Sequence, residues 1–164
     1  MASGDTLAIH LPSSNEPPST NFATLDLRNL HPVLDFDTTT GEDAVFSGIM
    51  PRVYAGTTGV TVYIHYSMST ATTGTCGWLV SFERIGDQQL DVDADSFAAT
   101  NTVTAVTVPA TSGNVDIVNV TFTDGADMDS VAVGELYRIK ITRDVASDTA
   151  AGDAELHAVE IKET

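Results

Sequence analysis

The sequence is poor in most of the residues that usually announce a chemistry. One cysteine, Cys76, stands among 164 residues. That excludes an intrachain disulfide and any metal site built from cysteines. Cys76 lies in a Thr/Gly-rich stretch and reads as an incidental small residue. Seven basic residues face 23 acidic ones, for a formal net charge of -16. Such a surface repels phosphate backbones and anionic headgroups, so neither a nucleic acid nor a membrane is expected as a partner. The charge suits solubility, or attraction to a basic patch or to divalent cations. Aromatic residues make up only 7% of the chain, so few rings are left for ligands once a core is filled.

Other absences narrow the function further. No run of 18 apolar residues occurs, so no helix is expected to cross a membrane. Met1-Ala2-Ser3-Gly4-Asp5 has neither the basic nor the apolar region of a secretory signal, and synthesis in a cytoplasm is expected. None of the histidines His10, His31, His65 and His157 pairs with another at H-x-x-x-H spacing. G-x-S-x-G, P-loop and G-x-G-x-x-G motifs are missing. No enzyme and no cofactor is therefore expected.

What is present is a β pattern. In Gly59–Ile85, Val60, Val62, Ile64, Tyr66 and Met68 fall on one face, and Thr61, Tyr63, His65 and Ser67 on the other. After the break Thr70–Cys76, Trp78, Val80 and Phe82 alternate with Leu79, Ser81 and Glu83. This predicts two long antiparallel strands paired through that loop, with Trp78 in the core. Further strands are expected at His31–Asp37, Ala44–Pro51 (with Gly48 at a bulge), Thr102–Val108, Val115–Thr123, Glu135–Arg143 and Ala154–Lys162. In the last, the step from Leu156 to Val159 implies a bulge or a change of face. Asp124–Ser130 reads as one helical turn. No stretch has a sustained period of 3.6. The fold expected is all-β: a two-sheet antiparallel sandwich, jelly-roll-like, of about eight strands over residues 22–164.

Residues 1–21 read as an extended N-terminal arm and linker. Leu7, Ile9 and Leu11 form a short apolar strand. Pro12, Pro17 and Pro18 keep the following segment out of a ladder. The arm is expected to dock by edge addition, on its own body or on a neighbour, through Leu7, Ile9 and Leu11. The reading carried furthest has it mobile in the free protein and ordered on a particle.

Three further groups are candidates. Asp91, Asp93 and Asp95 resemble the start of an EF-hand loop, but Ser96 and Thr102 stand where its Gly and Glu belong. Asp124, Asp127 and Asp129 form a second acidic loop. Both read as solvated loops, with cation binding as the sharper alternative, and no metal is assigned. Tyr54, Tyr63 and Tyr66 are the candidates for stacking on a carbohydrate. Asn119-Val120-Thr121 matches a glycosylation sequon but falls inside an expected strand.

Several stretches together carry a resemblance: Leu34–Asp37, Phe46–Arg52, Val60–Ser69, Trp78–Arg84, Phe122–Asp129 and Gly152–Leu156. They resemble small virion structural proteins of tailed bacteriophages. The resemblance implies a jelly-roll-like head decoration (cement) protein on the exterior of the head, or a tail component. It implies the major capsid protein as partner, and a homo-oligomer, with a trimer favoured. The alternative is a tail-fibre or receptor-binding jelly-roll module that recognises carbohydrate. A cupin-type enzyme ranks third, because clustered histidine ligands are missing.

Overall fold

A computed structural model describes residues 4–89 and 91–164; the first three residues of the expected arm lie outside them. In chain order the strands are β1 (Thr6–His10), β2 (Thr24–Arg28), β3 (His31–Phe36), β4 (Asp43–Ile49) and β5 (Val60–Met68). There follow β6 (Thr75–Ile85), β7 (Asn101–Thr107), β8 (Asp116–Phe122), β9 (Leu136–Arg143) and β10 (Ala154–Glu163). Single 3₁₀ turns occupy Pro12–Ser14 and Ala126–Met128, the second within the expected helical turn. The strands form a two-sheet antiparallel sandwich, jelly-roll-like as expected, with nine strands after β1. One sheet runs β2-β3-β10-β5-β8, with β1 also paired to β10; the other runs β4-β9-β6-β7. Among the described residues no helix is long and apolar enough to cross a membrane.

The predicted pairing of the two long strands is corrected. β5 lies between β10 and β8, and β6 lies between β9 and β7. They face each other across the core and share no ladder. The reason is burial: Val60, Val62, Ile64, Tyr66 and Met68 point in from one sheet, and Cys76, Trp78, Val80 and Phe82 from the other. Each is a central strand, and such strands need neighbours on both sides. The Thr/Gly-rich loop between them crosses from sheet to sheet.

Trp78 is fully buried at the centre. Its ring meets Phe36 edge-on at 5.0 Å and Tyr66 at 5.4 Å, an edge-to-face geometry that aromatic quadrupoles favour. Gly48 is not a bulge, since β4 and β9 pair in unbroken register. A Cβ there would lie 2.6 Å from the Tyr137 hydroxyl, so glycine leaves room for that ring. The bulge expected after Leu156 is present: β10 steps from Leu156 to Ala158 while β5 steps from Tyr66 to His65. His157 is the extra residue.

The expected arm is part of the sandwich. β1 pairs with β10 opposite Val159–Lys162, beyond the part of β10 that β3 occupies. Of the two docking places considered, its own body takes the strand, and an arm mobile in the free chain is not what this fold shows. Leu7 packs against the core, whereas Ile9 is 62% exposed and Leu11 52%. The proline segment then crosses to the second sheet and covers the free edge of β4. Glu16 N–H donates to Val45 O at 2.8 Å, Asn15 Oδ1 accepts Val45 N–H at 3.0 Å, and Ala23 N–H donates to Asp43 O at 3.1 Å.

Candidate functional site

The outer face of the six-stranded sheet gathers the richest set of polar side chains. Residues alternate on a strand, so Tyr63, His65 and Ser67 of β5 face away from the core. Register sets Ser67 beside Glu155, and Tyr63 beside Glu160 on one side and Asn119 on the other. The bulge on β10 turns His157 onto this face, next to Ser67.

These groups form a chain of contacts. Arg28 pairs with Glu155, and its Nη1 also donates to Met68 O at 2.9 Å. The Ser67 hydroxyl donates to Glu155 Oε2 at 2.9 Å, and its oxygen lies 2.9 Å from His157 Nε2. Since Ser67 spends its one proton on Glu155, it accepts from His157. That polarity is the reverse of a serine nucleophile and its base, where serine donates to the imidazole. Ser67 is also fully buried. The network is therefore a brace: it fixes the ring of His157 and leaves Nδ1 to accept from a ligand. Burial, aided by Arg28, His31 and His65, holds the His157 pKa below its ordinary value against the pull of Glu155, so the ring is neutral at neutral pH.

Two shallow hollows meet at His31 and His157. One, of about 340 Å³, is lined by Arg28, Asn29, His31, Gly113, Val115 and His157. The other, of about 270 Å³, is lined by Leu11, Pro12, Ser13, His31, Pro32 and His157. Leu11 of the expected arm thus reaches the site, Ile9 stays on the open face, and Leu7 does not take part. An apolar floor with a few fixed polar groups is the usual build of a small-ligand surface.

The tyrosine candidates separate. Tyr66 is buried against Trp78. Tyr54 is buried at one end of the sandwich, where its hydroxyl donates to Asp124 and accepts Gly59 N–H. Tyr63 alone keeps a partly open ring, with the Lys162 ammonium 5.5 Å from its centroid, a cation–π distance.

The acidic loops do not converge. Asp91 accepts from Asp93 N–H, and Asp95 from Ser96 N–H. Asp124 holds Tyr54, Asp127 holds Thr123 N–H at 2.7 Å, and Asp129 holds Arg84 N–H at 2.7 Å. Asp91, Asp95 and Asp127 tie local turns, whereas Asp124 and Asp129 reach to other segments. Among the described residues no group of three or more His, Cys, Asp or Glu side chains is arranged to hold a metal. A hollow of about 240 Å³ does collect Asp35, Asp37, Glu42 and Asp153. Burial, then Glu155, Asp26 and Asp153, push Asp35 up to about 6. Cys76 is buried, and desolvation pushes its thiol up to about 12, which makes it unreactive.

The pattern reading placed Tyr63 and His65 on a common face but missed Arg28, Ser67, Glu155 and His157 as a group. The available signal was the phase change around His157.

No protein-family model and no curated protein matches the chain. Solved structures do match in fold. The chain is similar to the C-terminal CBM6 of LamC, a marine laminarinase from Zobellia galactanivorans, at 10% identity and TM-score 0.55, covering 97% of this chain and 100% of that one. It is similar to a family 35 carbohydrate-binding module from an environmental isolate, at 14% identity and TM-score 0.54, covering 94% and 92%. A third similar structure is the module CBM6cm-2 of Cellvibrio mixtus lichenase 5A in complex with cellotriose, at 12% identity and TM-score 0.51, covering 98% and 99%. At these identities the likeness is one of fold.

Proposed function

We propose that this chain is a non-catalytic carbohydrate-binding module that holds glycan on the outer face of its six-stranded sheet. One observation carries the reading. Tyr63, the one tyrosine whose ring is not buried, shares that face with His65 and with a His157 locked by the Arg28–Glu155–Ser67 brace. A flat ring offers a stacking platform, and the neutral His157 imidazole offers Nδ1 as an acceptor to a hydroxyl. The surface is formed before any ligand arrives, which limits the ordering cost of binding. The fold shared with carbohydrate-binding modules supports this reading.

The test is affinity electrophoresis and calorimetry of the full chain against laminarin, xylan and cello-oligosaccharides. Binding is expected with at least one of them. Tyr63→Ala should weaken it by about tenfold, or about 1.4 kcal/mol, with unchanged circular dichroism. A chain that binds none, or a variant that binds equally well, overturns the reading.

A virion decoration role is the second reading. It stands on the phage-protein resemblance, on the acidic surface, and on the exposed pair Ile9 and Leu11. Here the major capsid protein is the partner, and a trimer on the head exterior is the form implied. Retention on undecorated capsids, lost on Ile9→Asp, with no glycan binding, would favour it over the first.

A further inference from the structure

The two flanks of the sandwich differ. On one, residues 15–23 cover the edge of β4. On the other, β7 and β8 end their sheets, with no strand beyond them among the described residues. Between them runs a hollow of about 480 Å³. Natural edge strands are usually blunted by charge, proline or a covering segment. This flank has none of the first two on its strands beyond Asp116: from Ser96 to Thr123 it is the one charged residue, in a chain of net charge -16. Val115 and Ile117 are exposed there, at 51% and 53%.

The edge of β8 is also half satisfied in a particular way. Thr121 O accepts from Asn101 Nδ2 at 3.0 Å, and Ile117 N–H donates to Asp116 Oδ1 at 2.9 Å. Groups that find such partners point away from β5. By the two-residue period, the N–H and C=O of Asn119 point the same way. Four outward groups find no partner among the described residues: Ile117 C=O, Asn119 N–H, Asn119 C=O and Thr121 N–H.

We propose that β8 pairs antiparallel with β8 of a second copy of this chain, about a two-fold axis at Asn119. In that register the Asn119 residues exchange N–H and C=O, and Ile117 C=O accepts Thr121 N–H of the other copy. All four leftover groups of each copy are satisfied. The two groups already tied, Ile117 N–H and Thr121 C=O, are the ones that would face each other. This match of capped with capped and free with free makes the edge complementary to its own copy. Charge selects the same flank, because two strongly anionic molecules meet most easily where neither carries charge. An isologous contact of this kind closes as a dimer.

The pairing has a consequence that rests on the carbohydrate reading. Tyr63 is in register with Asn119, so the two tyrosines fall in one row, three strand spacings or about 14 Å apart. One glycan chain could then touch both, with a gain in avidity.

Sedimentation of the full chain tests the proposal. The expected mass is twice the monomer's 17.3 kDa at high micromolar concentration. Asn119→Lys sets two like charges against each other, and Asn119→Pro removes the outward N–H. Both should sediment as monomers with native circular dichroism. In an otherwise wild-type chain Asn119→Cys should form a disulfide-linked dimer on mild oxidation, since Cys76 is buried. A wild-type monomer at millimolar concentration overturns the proposal. So does a dimer that survives Asn119→Lys, or an Asn119→Cys chain that does not cross-link. Sedimentation needs no glycan, so a monomer that binds polysaccharide defeats the dimer alone, and a dimer that binds none defeats the carbohydrate reading alone.

Discussion

Leu30 shows how single residues depart from local preference here. It is 86% exposed and sits at φ +68, after Asn29 at φ +46. Arg28 pairs with His31, so Asn29 and Leu30 are the whole turn between β2 and β3. A two-residue hairpin turn with both φ values positive is the I′ type, which favours Asn-Gly. Leucine in the left-handed region costs about 1–2 kcal/mol, because its Cβ crowds the following carbonyl. Glycine removes that cost but loses about 0.5–1 kcal/mol of chain entropy on folding. Leu30→Gly is therefore expected to raise stability by about 0.5–1 kcal/mol, a rise in Tm of roughly 2–3 °C. A lower urea midpoint for the variant would show that Leu30 makes a contact worth more than its strain. Trp78 illustrates the opposite case, a residue whose alternation with Val80 and Phe82 announced its burial directly.

At the scale of elements, β1 lies along β10, and one of its side chains is a buried titratable group. His10 is buried, stacks on Phe46 at 5.4 Å and shares a hydrogen bond of 3.1 Å with the Tyr137 hydroxyl. Burial lowers its pKa from 6.5, while Glu16 pulls it back up. The unfolded chain therefore binds the proton more readily than the folded one. The contribution of His10 is complete above pH 6.5 and is lost as pH falls below that value. Hydrogen exchange of the β1 amides is expected to quicken between pH 7 and pH 5, relative to β5. His10→Phe should flatten that dependence. Equal protection of β1 at both pH values in the native chain would rule the mechanism out. The strand itself was legible from Leu7 and Ile9, but its partner was not. The same limit applies to the candidate site. Tyr63 and His65 were placed on one face by alternation. Arg28, Glu155 and Ser67 meet only because β2, β3, β10 and β5 lie in that order, bringing together residues 88 and 127 positions apart. Periodicity reports which way a side chain points and says nothing of which strand lies beside it. The expected β5–β6 pairing failed for that reason, since a loop that crosses between sheets has the composition of one that closes a hairpin.

For the whole molecule, charge is the dominant unbalanced quantity. Five of the seven basic residues, Arg28, Arg84, Arg138, Lys140 and Arg143, already pair with carboxylates. Arg143 is fully buried, with Nε 2.5 Å from Asp148 and Nη1 bound to Phe36 O and Gly152 O, so it ties the loop before β10 to β3. Most of the 23 acidic residues are left to repel one another on the surface. Compaction raises that repulsion, and it is screened over about 10 Å at 0.1 M salt. Tm is therefore expected to climb by several degrees as NaCl is raised from low millimolar to physiological strength, and then to level off. The buried Arg143–Asp148 pair should contribute little to the slope, because solvent ions do not reach it. CaCl₂ at equal ionic strength should give much the same curve if screening is the cause. A flat or falling Tm in NaCl would mean that the surface charges are already well spaced. A rise specific to Ca²⁺, lost in Asp35→Asn but kept in Asp91→Ala, would instead place a cation among Asp35, Asp37, Glu42 and Asp153. Neutralising Asp35 would then no longer be the stabilising change that its raised pKa implies above pH 6.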